Sequence, residues 1–280
     1  MNIKIQHVIA DITGKSGQEI IKSIIAGERN AEILASCCDS RIRAHKKEGI
    51  IKSLTGVWKE EHVFELEQSY SIYQFYHAKL KECDAKIEEH LREKSGVDTF
   101  VEPQKKEKSN KNNLNFNGKE MLYELTGTDL AEIFGITETN AIEIISEVGL
   151  DMSKWPTVKH FTSWLNLAPN NKISGGKVLS SRIPKKKNHA GQIFRRAAFA
   201  IQRSKNWLAM FYNRIKAKNG APKAIVATAR KIAAIFYKMV KERVKFNPIP
   251  IEKYMDGFKE NQIKKLKRQA KNLGLQIVEM

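Results

Sequence analysis

The sequence is poor in the features that mark membrane, secreted and disulfide-stabilised proteins. Its 280 residues include only 3 cysteines and 7 prolines, and the cysteines have neither the CxxC spacing nor the histidine pair of a zinc site. The apolar stretches are too short or too interrupted by charge to span a bilayer. The first residues also lack the basic and apolar regions of a signal peptide. We therefore expect a cytoplasmic protein with reduced thiols, no metal site and no membrane contact.

Acidic residues are almost absent from one long stretch of the chain. The whole sequence has 49 Lys and Arg against 31 Asp and Glu, a net charge of +18. Between Lys172 and Lys245, which we call the basic segment, 20 basic residues stand against a single acid, Glu242. Solvated surfaces usually mix both signs, so the basic segment predicts nucleic acid as the partner. The predicted contact residues are Lys172, Lys177, Arg182, Lys185, Lys186, Lys187, Arg195 and Arg196.

Hydrophobic periodicity predicts a mainly α fold with one long helix. Segment 60–93 contains neither Gly nor Pro and repeats apolar residues at steps of three and four over about four heptads. This pattern suits a coiled coil that joins two copies of the chain and equally a helix that packs within one chain, and the sequence leaves both open. The stripe consists of Leu66, Tyr70, Tyr73, Tyr76, Leu80, Cys83, Ile87 and Leu91.

Composition divides the chain into four parts. We expect a helical region at 1–94, a linker at 95–118 rich in Lys, Asn and Glu, a helical domain at 119–250 and a basic helical tail at 251–280. The stretch ISGGKVLSSR is the only strand candidate. Helices of the third part are predicted near 119–132, 138–148, 157–166, 190–218 and 223–245. Trp207 and Tyr212 suit base stacking, although core packing is the favoured use.

Residues 129–149 (DLAEIFGITETNAIEIISEVG) have the order of a helix-hairpin-helix unit. Gly135 in the tight turn would let the backbone approach a phosphate, and the exposed N–H groups of the next helix would hold it. The absence of Lys and Arg between Gly127 and Gly149 favours an ordinary helical hairpin instead. The sequence leaves both interpretations open.

Ser174 is the best nucleophile candidate. It precedes Gly175 and Gly176, a pair that permits close approach to another backbone, and several of the predicted contact cations lie near it. A serine that attacks a DNA phosphodiester needs an exposed hydroxyl and fixed cations for the developing charge. An ordinary turn is the alternative, and Ser180 and Ser181 compete for the role. Other catalysis is disfavoured, because the sequence has no P-loop, zinc-protease or serine-hydrolase motif and no separated carboxylates for two metal ions.

Three stretches resemble the insertion-sequence transposases of the one-hundred-ten (IS110) type, which are related to pilin-gene inverting recombinases. They are NIKIQHVIADITGKSGQEIIKSIIAGERN at the start, GITETNAIEIISEVGLDMSKWPTVKHFTSWLNLAPNNKISGGKVLSSR in the middle and SKNWLAMFYNRIKAKNGAPKAIVATARKIAAIFYKM after it. The middle stretch is the most specific. The resemblance covers nearly the whole chain and implies a bacterial, nucleoid-associated protein.

The resemblance also implies a division of labour. Family members have an N-terminal RuvC-like nuclease fold with four acids that bind magnesium, then a coiled coil, then a transposase domain with a serine, which Ser174 matches. They bind DNA at element ends and target, and a guide RNA from their own element. Here Met1 stands where an internal Met would, so we expect a truncated product without the nuclease half, and Asp11 is no substitute for its acids.

These observations support one main hypothesis and two rivals. The chain is expected to serve DNA transposition and recombination as a DNA-binding C-terminal part, inactive alone, with Ser174 attacking the phosphate in the complete enzyme. Lys172, Lys177 and Arg182 would then stabilise the charge on phosphorus. The first rival is a non-catalytic nucleic-acid-binding remnant or a regulator of the full-length transposase. The second is a basic structural protein that merely coats nucleic acid.

Overall fold

The computed structural model describes residues 3–95, 114–181 and 188–275. Within these ranges the chain forms eleven α-helices and one two-stranded sheet, which confirms the mainly α fold class. None of the described helices is long and apolar enough to cross a membrane. The elements are α1 (Lys15–Ile25), α2 (Ala31–Ser36), α3 (Ser40–Leu54), α4 (Glu60–Ser95), α5 (Gly118–Thr126), α6 (Glu138–Val148), α7 (Val158–Trp164), β1 (Lys172–Ser174), β2 (Lys177–Ser180), α8 (His189–Ala200), α9 (Trp207–Asn219), α10 (Ala221–Glu242) and α11 (Ile251–Asn272).

The chain divides into two compact units, Met1–Ala85 and Lys86–Met280, with the boundary inside α4. Each unit buries its own core. The four parts expected from composition stay predictions, since the contacts divide the chain at one point only. Most of the expected linker lies outside the described residues.

The first unit is built from α1 to α3 and the start of α4. Asn30 and Asp39 each begin a helix by accepting backbone N–H bonds with their side chains, which satisfies donors that the helix leaves open. The apolar faces of these short helices meet in one small core, as expected for amphipathic helices. Its buried members are Ile5, Ile9, Ile20, Ile24, Leu34, Ala35, Cys38, Ile50 and Leu54.

Helix α4 confirms the predicted helix at 60–93, and its apolar stripe falls into three sections. Leu66, Tyr70 and Tyr73 are half-buried in the first unit, and Leu91 is buried in the core of the second. Between them the stripe is open to solvent, where Tyr76 and Leu80 are each 63% exposed. The structure therefore leaves the middle of the stripe without a partner within the described chain, and the coiled coil stays a prediction.

The second unit is organised around α10. Its buried residues recur at steps of three and four, from Ala224 to Val240, and this face packs against α7, α8 and α9. Aromatic rings fill the space between these helices, with Phe161 lying 5.4 Å from Tyr237 and Phe194 lying 5.5 Å from Phe236 between ring centroids. The Tyr237 hydroxyl donates a 2.6 Å hydrogen bond to the carbonyl of Trp155, so its buried polar group is satisfied.

Two predicted helices end earlier than expected. The helix predicted at 190–218 is two helices, because Ser204 is extended and the Asn206 side chain accepts a hydrogen bond from Ala209 N, which starts α9 afresh. The helix predicted at 119–132 ends at Thr126, since Gly127 adopts a left-handed conformation with φ +71°, and only a short 3-10 turn follows at Leu130–Glu132. In both places a capping residue outweighs apolar periodicity.

Candidate nucleic-acid interface and serine hairpin

Ser174 lies at the tip of an exposed β-hairpin. Strands β1 and β2 pair antiparallel with Ser174 opposite Lys177, and the two residues between them, Gly175 and Gly176, have φ of +53° and +73°. Successive left-handed residues form the tight two-residue turn that matches the twist of paired strands, and glycine adopts them at little cost. No described residue lies within 4 Å of the position that a Cβ would occupy at either glycine. The turn is therefore open to an approaching backbone.

The hairpin carries cations and no carboxylate. Lys172 and Lys177 are exposed on the two strands, as are Ile173 and Leu179 beside them. Within the part of the chain that the structure describes, neither lysine forms an ion pair and the Ser174 hydroxyl has no hydrogen-bond partner. Among the described residues, the hairpin thus carries a free serine hydroxyl with one exposed lysine on each strand, and no base is hydrogen-bonded to the serine.

Both ends of the loop that carries the hairpin are fixed at the same point of the core. Where the loop leaves α7, the Arg195 guanidinium donates a 2.7 Å hydrogen bond to the carbonyl of Asn166, which has φ +55°. Where it returns at α8, Asn188 donates to the Trp164 carbonyl at 3.2 Å and accepts from Gly191 N at 2.7 Å. The hairpin therefore extends from two chain ends that are both fixed by hydrogen bonds. We call these two ends, at Asn166 and at Asn188, the stem.

The predicted contact residues fall into three groups. Lys172 and Lys177 are free at the hairpin. Arg195 is half-buried against the stem, where burial lowers the pKa of its guanidinium, and Arg196 pairs with Glu143 at 3.0 Å. Arg195 thus has a structural partner, whereas Arg196 remains 62% exposed and still presents charge to solvent. The remaining predicted contacts, Arg182, Lys185, Lys186 and Lys187, lie outside the described residues.

The turn at Gly135 packs against α8. Gly135 has φ +84°, and a Cβ there would lie 2.6 Å from the Ala197 carbonyl oxygen and 2.7 Å from Ile201 Cγ2. This packing alone requires glycine at the position. Thr137 caps α6 by accepting from Asn140 N, and the element before the turn is the 3-10 turn described above rather than a full helix. The helix-hairpin-helix assignment stays a prediction.

Two aromatic residues of the basic segment belong to the core. Trp207 is 6% exposed and Tyr212 is 1% exposed, so the favoured prediction, packing rather than base stacking, is confirmed. The residues that sequence reasoning missed are the anchors Asn166 and Asn188. Asn188 carries a readable signal, since Asn directly before a periodic helix is a strong N-cap.

Among the described residues no group of three or more His, Cys, Asp or Glu side chains is placed to hold a metal ion. The cysteines are free thiols: Cys38 is buried, Cys37 is half-buried and Cys83 is exposed. Burial raises the pKa of the Cys38 thiol above its usual value, so it is a packing residue in the core of the first unit.

Comparison with known proteins gives a family match over the part of the chain that carries the hairpin. A search of curated proteins gave no match to the chain. Residues 127–213, from the end of α5 through the hairpin to α9, match the family model described as Transposase IS116/IS110/IS902 family. Ser174, Lys172, Lys177 and the anchors Asn166 and Asn188 all lie inside the matched residues. Within residues 127–213, the chain is therefore similar to the transposases of the IS116/IS110/IS902 family.

Proposed function

We propose that this chain is the DNA-handling part of a transposase, and that Ser174 attacks a DNA phosphate in the complete enzyme. One observation carries the proposal: a free serine hydroxyl lies at the open tip of a two-glycine hairpin, between Lys172 and Lys177, inside the matched transposase residues. Ser174 is exposed among the described residues, so its hydroxyl is accessible to a phosphate on a duplex.

The proposed reaction is a transesterification. The Ser174 Oγ attacks phosphorus, an Oγ–P bond forms, and the bond from phosphorus to the leaving DNA oxygen breaks, which leaves a free DNA hydroxyl and a phosphoserine linkage. A second DNA hydroxyl reverses the step and releases the serine. Because phosphate ester bonds are exchanged one for one, the reaction needs no external energy source.

The two hairpin lysines would stabilise the charge that develops on phosphorus. The serine proton must pass to a base, and magnesium would be held by the acids of the N-terminal nuclease domain that the resemblance implies. When bound, the metal would stabilise the entering and leaving oxygens. The described residues supply the nucleophile, its cations and the fixed stem.

Trapping the covalent intermediate tests this role. The complete enzyme, in which the N-terminal nuclease domain would hold the metal, is incubated with magnesium and a duplex nicked beside the element end, and a protein–DNA adduct is sought by denaturing electrophoresis and mass spectrometry. We expect an adduct that Ser174→Ala abolishes and that Ser181→Ala, a neighbouring exposed serine, leaves intact. If the chain binds this duplex but the complete enzyme forms its adduct equally well with Ser174→Ala, the assignment of the nucleophile is wrong.

A non-catalytic regulator is the second proposed function. It is favoured by the charge of the basic segment, since 20 basic residues against a single acid suit nucleic-acid binding without any chemistry. Such a protein would occupy element ends, or a structured RNA of the element, through the basic segment. Tight binding to the ends without any adduct would favour this function.

We also propose that the chain self-associates through the middle of α4. Four stripe residues, Tyr76, Leu80, Cys83 and Ile87, are exposed there and follow coiled-coil spacing. Ion pairs at positions three and four apart surround them, such as Lys86 with Glu89 at 2.6 Å and Arg92 with Glu88 at 2.6 Å. An apolar seam flanked by mixed charge suits a second copy of the same helix.

A further inference from the structure

Helices α9, α10 and α11 bring two cations together over aromatic rings. Lys231 Nζ lies 4.8 Å from the centroid of the Phe211 ring and 5.6 Å from that of Trp207. Arg214 Cζ lies 5.4 Å from the same Phe211 ring, and it also lies 5.7 Å from the centroid of Tyr254 and 4.6 Å from that of Phe258. We call these six residues the aromatic cation cluster.

The cluster holds positive charge without a counter-charge. Neither Arg214 nor Lys231 makes an ion pair within the described ranges, although acids such as Asp256 lie on the neighbouring helix α11. Both residues are only half-exposed. Burial and the adjacent Arg214 charge lower the pKa of Lys231. Ring faces attract cations, but they do not supply the negative charge that would balance Arg214 and Lys231.

The same cluster contains buried donors that have no acceptor. Trp207 Nε1 and the Tyr254 hydroxyl are both buried without a hydrogen-bond partner within the described chain, and the two rings lie 5.8 Å apart. A buried polar group without a partner costs free energy and calls for an explanation, such as a ligand or water that fills the gap. An indole N–H can only donate, so whatever satisfies Trp207 must accept.

We propose that the aromatic cation cluster binds a phosphate group of the nucleic-acid backbone. Phosphate oxygens accept hydrogen bonds and would supply the negative counter-charge that Arg214 and Lys231 do not have in the described chain. The arginine side chain in particular presents a fork of N–H donors that matches the geometry of a phosphate. The inference rests on the proposed nucleic-acid function and adds a specific contact on α9 and α10, apart from the hairpin lysines. A bound phosphate would balance the charge of both cations, and the bare cluster is the less stable state.

Lys231→Met tests this assignment, since the variant keeps an apolar stem on the rings and removes the charge. Lys223→Met is the matched control, because Lys223 is exposed on the same helix and the net charge falls equally. Without ligand, Lys231→Met should unfold at the same temperature as wild type or a higher one, since an uncompensated half-buried charge is lost. A clear fall in its melting temperature, absent from the control, would make the cluster a structural cation–π contact and overturn the proposal.

Ligand binding is measured in two arms on the full chain. In the first, the indole N–H resonance of Trp207, assigned with Trp207→Phe, is followed by NMR during titration with inorganic phosphate against chloride at equal ionic strength. Phosphate should shift this resonance in wild type and Lys223→Met, and not in Lys231→Met. No phosphate-specific shift in wild type would contradict the proposal.

In the second arm, a labelled oligonucleotide duplex is titrated with the same proteins. Loss of a charge-assisted contact should weaken binding about ten-fold in Lys231→Met relative to Lys223→Met. If phosphate shifts Trp207 but the two variants bind the duplex equally, the site takes a free phosphate and the nucleic-acid assignment falls. If wild type fails to bind any nucleic acid, the proposed function falls, whereas the phosphate arm still reports on the cluster.

Discussion

The Arg195 guanidinium donates a 2.7 Å hydrogen bond to the backbone carbonyl of Asn166, 29 positions earlier in the chain. Asn166 follows α7 with a left-handed backbone, φ +55°, a conformation that Asn tolerates better than most residues. The bond fixes the point where the chain leaves the core toward the serine hairpin. An arginine predicted to contact nucleic acid therefore supports the hairpin that presents Ser174.

Replacing Arg195 should cost more stability than replacing its neighbour. Arg195→Met removes a charge-assisted bond and leaves the Asn166 carbonyl without it, so we expect a loss of about 2 kcal/mol in the free energy of unfolding. Arg196→Met breaks an exposed pair with Glu143 and should cost at most about 1 kcal/mol. Urea unfolding of both variants measures this difference. Equal losses would mean that Arg195 does not anchor the stem.

Gly135 and Gly175 should respond differently to alanine. Gly135→Ala adds a Cβ 2.6 Å from the Ala197 carbonyl and strains a left-handed backbone, so α8 must shift, at a cost of about 3 kcal/mol. Gly175 has the same kind of backbone but no described residue within 4 Å of its Cβ position, and Gly175→Ala should cost about 1 kcal/mol. Urea unfolding distinguishes them. A stable Gly135→Ala that loses DNA binding would instead favour the phosphate role of a helix-hairpin-helix turn.

These sites show what the sequence can and cannot predict. Helices α6 and α10 were located to within about three residues, because strong apolar periodicity and glycine ends act locally. The break before Asn206 was not predicted, because the apolar periodicity of the sequence continues through this position. The Asn206 side chain nevertheless caps a new helix there. The Asn166–Arg195 bond and the meeting of Arg214 with Lys231 depend on how separate helices pack, and no local pattern encodes that. From the sequence, ISGGKVLSSR is a strand candidate and its two glycines suit a turn, but the pairing of β1 with β2 across that turn is seen only in the structure.

Charge at the middle of α4 should prevent self-association. Leu80→Glu places a carboxylate on the exposed stripe and should shift the sedimentation coefficient from dimer to monomer. Ala78→Glu adds the same charge on the opposite side of the helix, where Ala78 is also exposed, and should leave the dimer intact. Mild oxidation should also join two wild-type copies through Cys83 if the helices are parallel and in register. A wild-type chain that sediments as a monomer contradicts the proposal.

The lowered pKa of Lys231 makes its contribution to the free energy of unfolding increase as the pH rises. Its pKa is lowered in the folded protein from the usual 10.5, so the folded state binds fewer protons than the unfolded state in the window between the lowered pKa and about 10.5. The destabilising effect of the charge is fully present below that window and disappears as pH rises through it. The stability advantage of Lys231→Met over wild type should therefore shrink toward alkaline pH. Urea unfolding of both proteins between pH 7 and pH 10.5 checks this, and a constant difference would contradict it.

The central claim, that the basic segment and its hairpin hold nucleic acid, is tested most directly by a salt-dependent binding titration. The purified chain is titrated against element-end DNA, scrambled DNA and the element's noncoding RNA, beside Lys172→Gln/Lys177→Gln and the control Lys47→Gln/Lys52→Gln on exposed positions of α3. We expect tighter binding to the element's ends or RNA than to scrambled DNA. For duplex DNA, the slope of log K against log salt should fall by about 2 in the hairpin variant and stay unchanged in the control. Absence of binding at low salt, or equal slopes for wild type and the hairpin variant, would contradict the account.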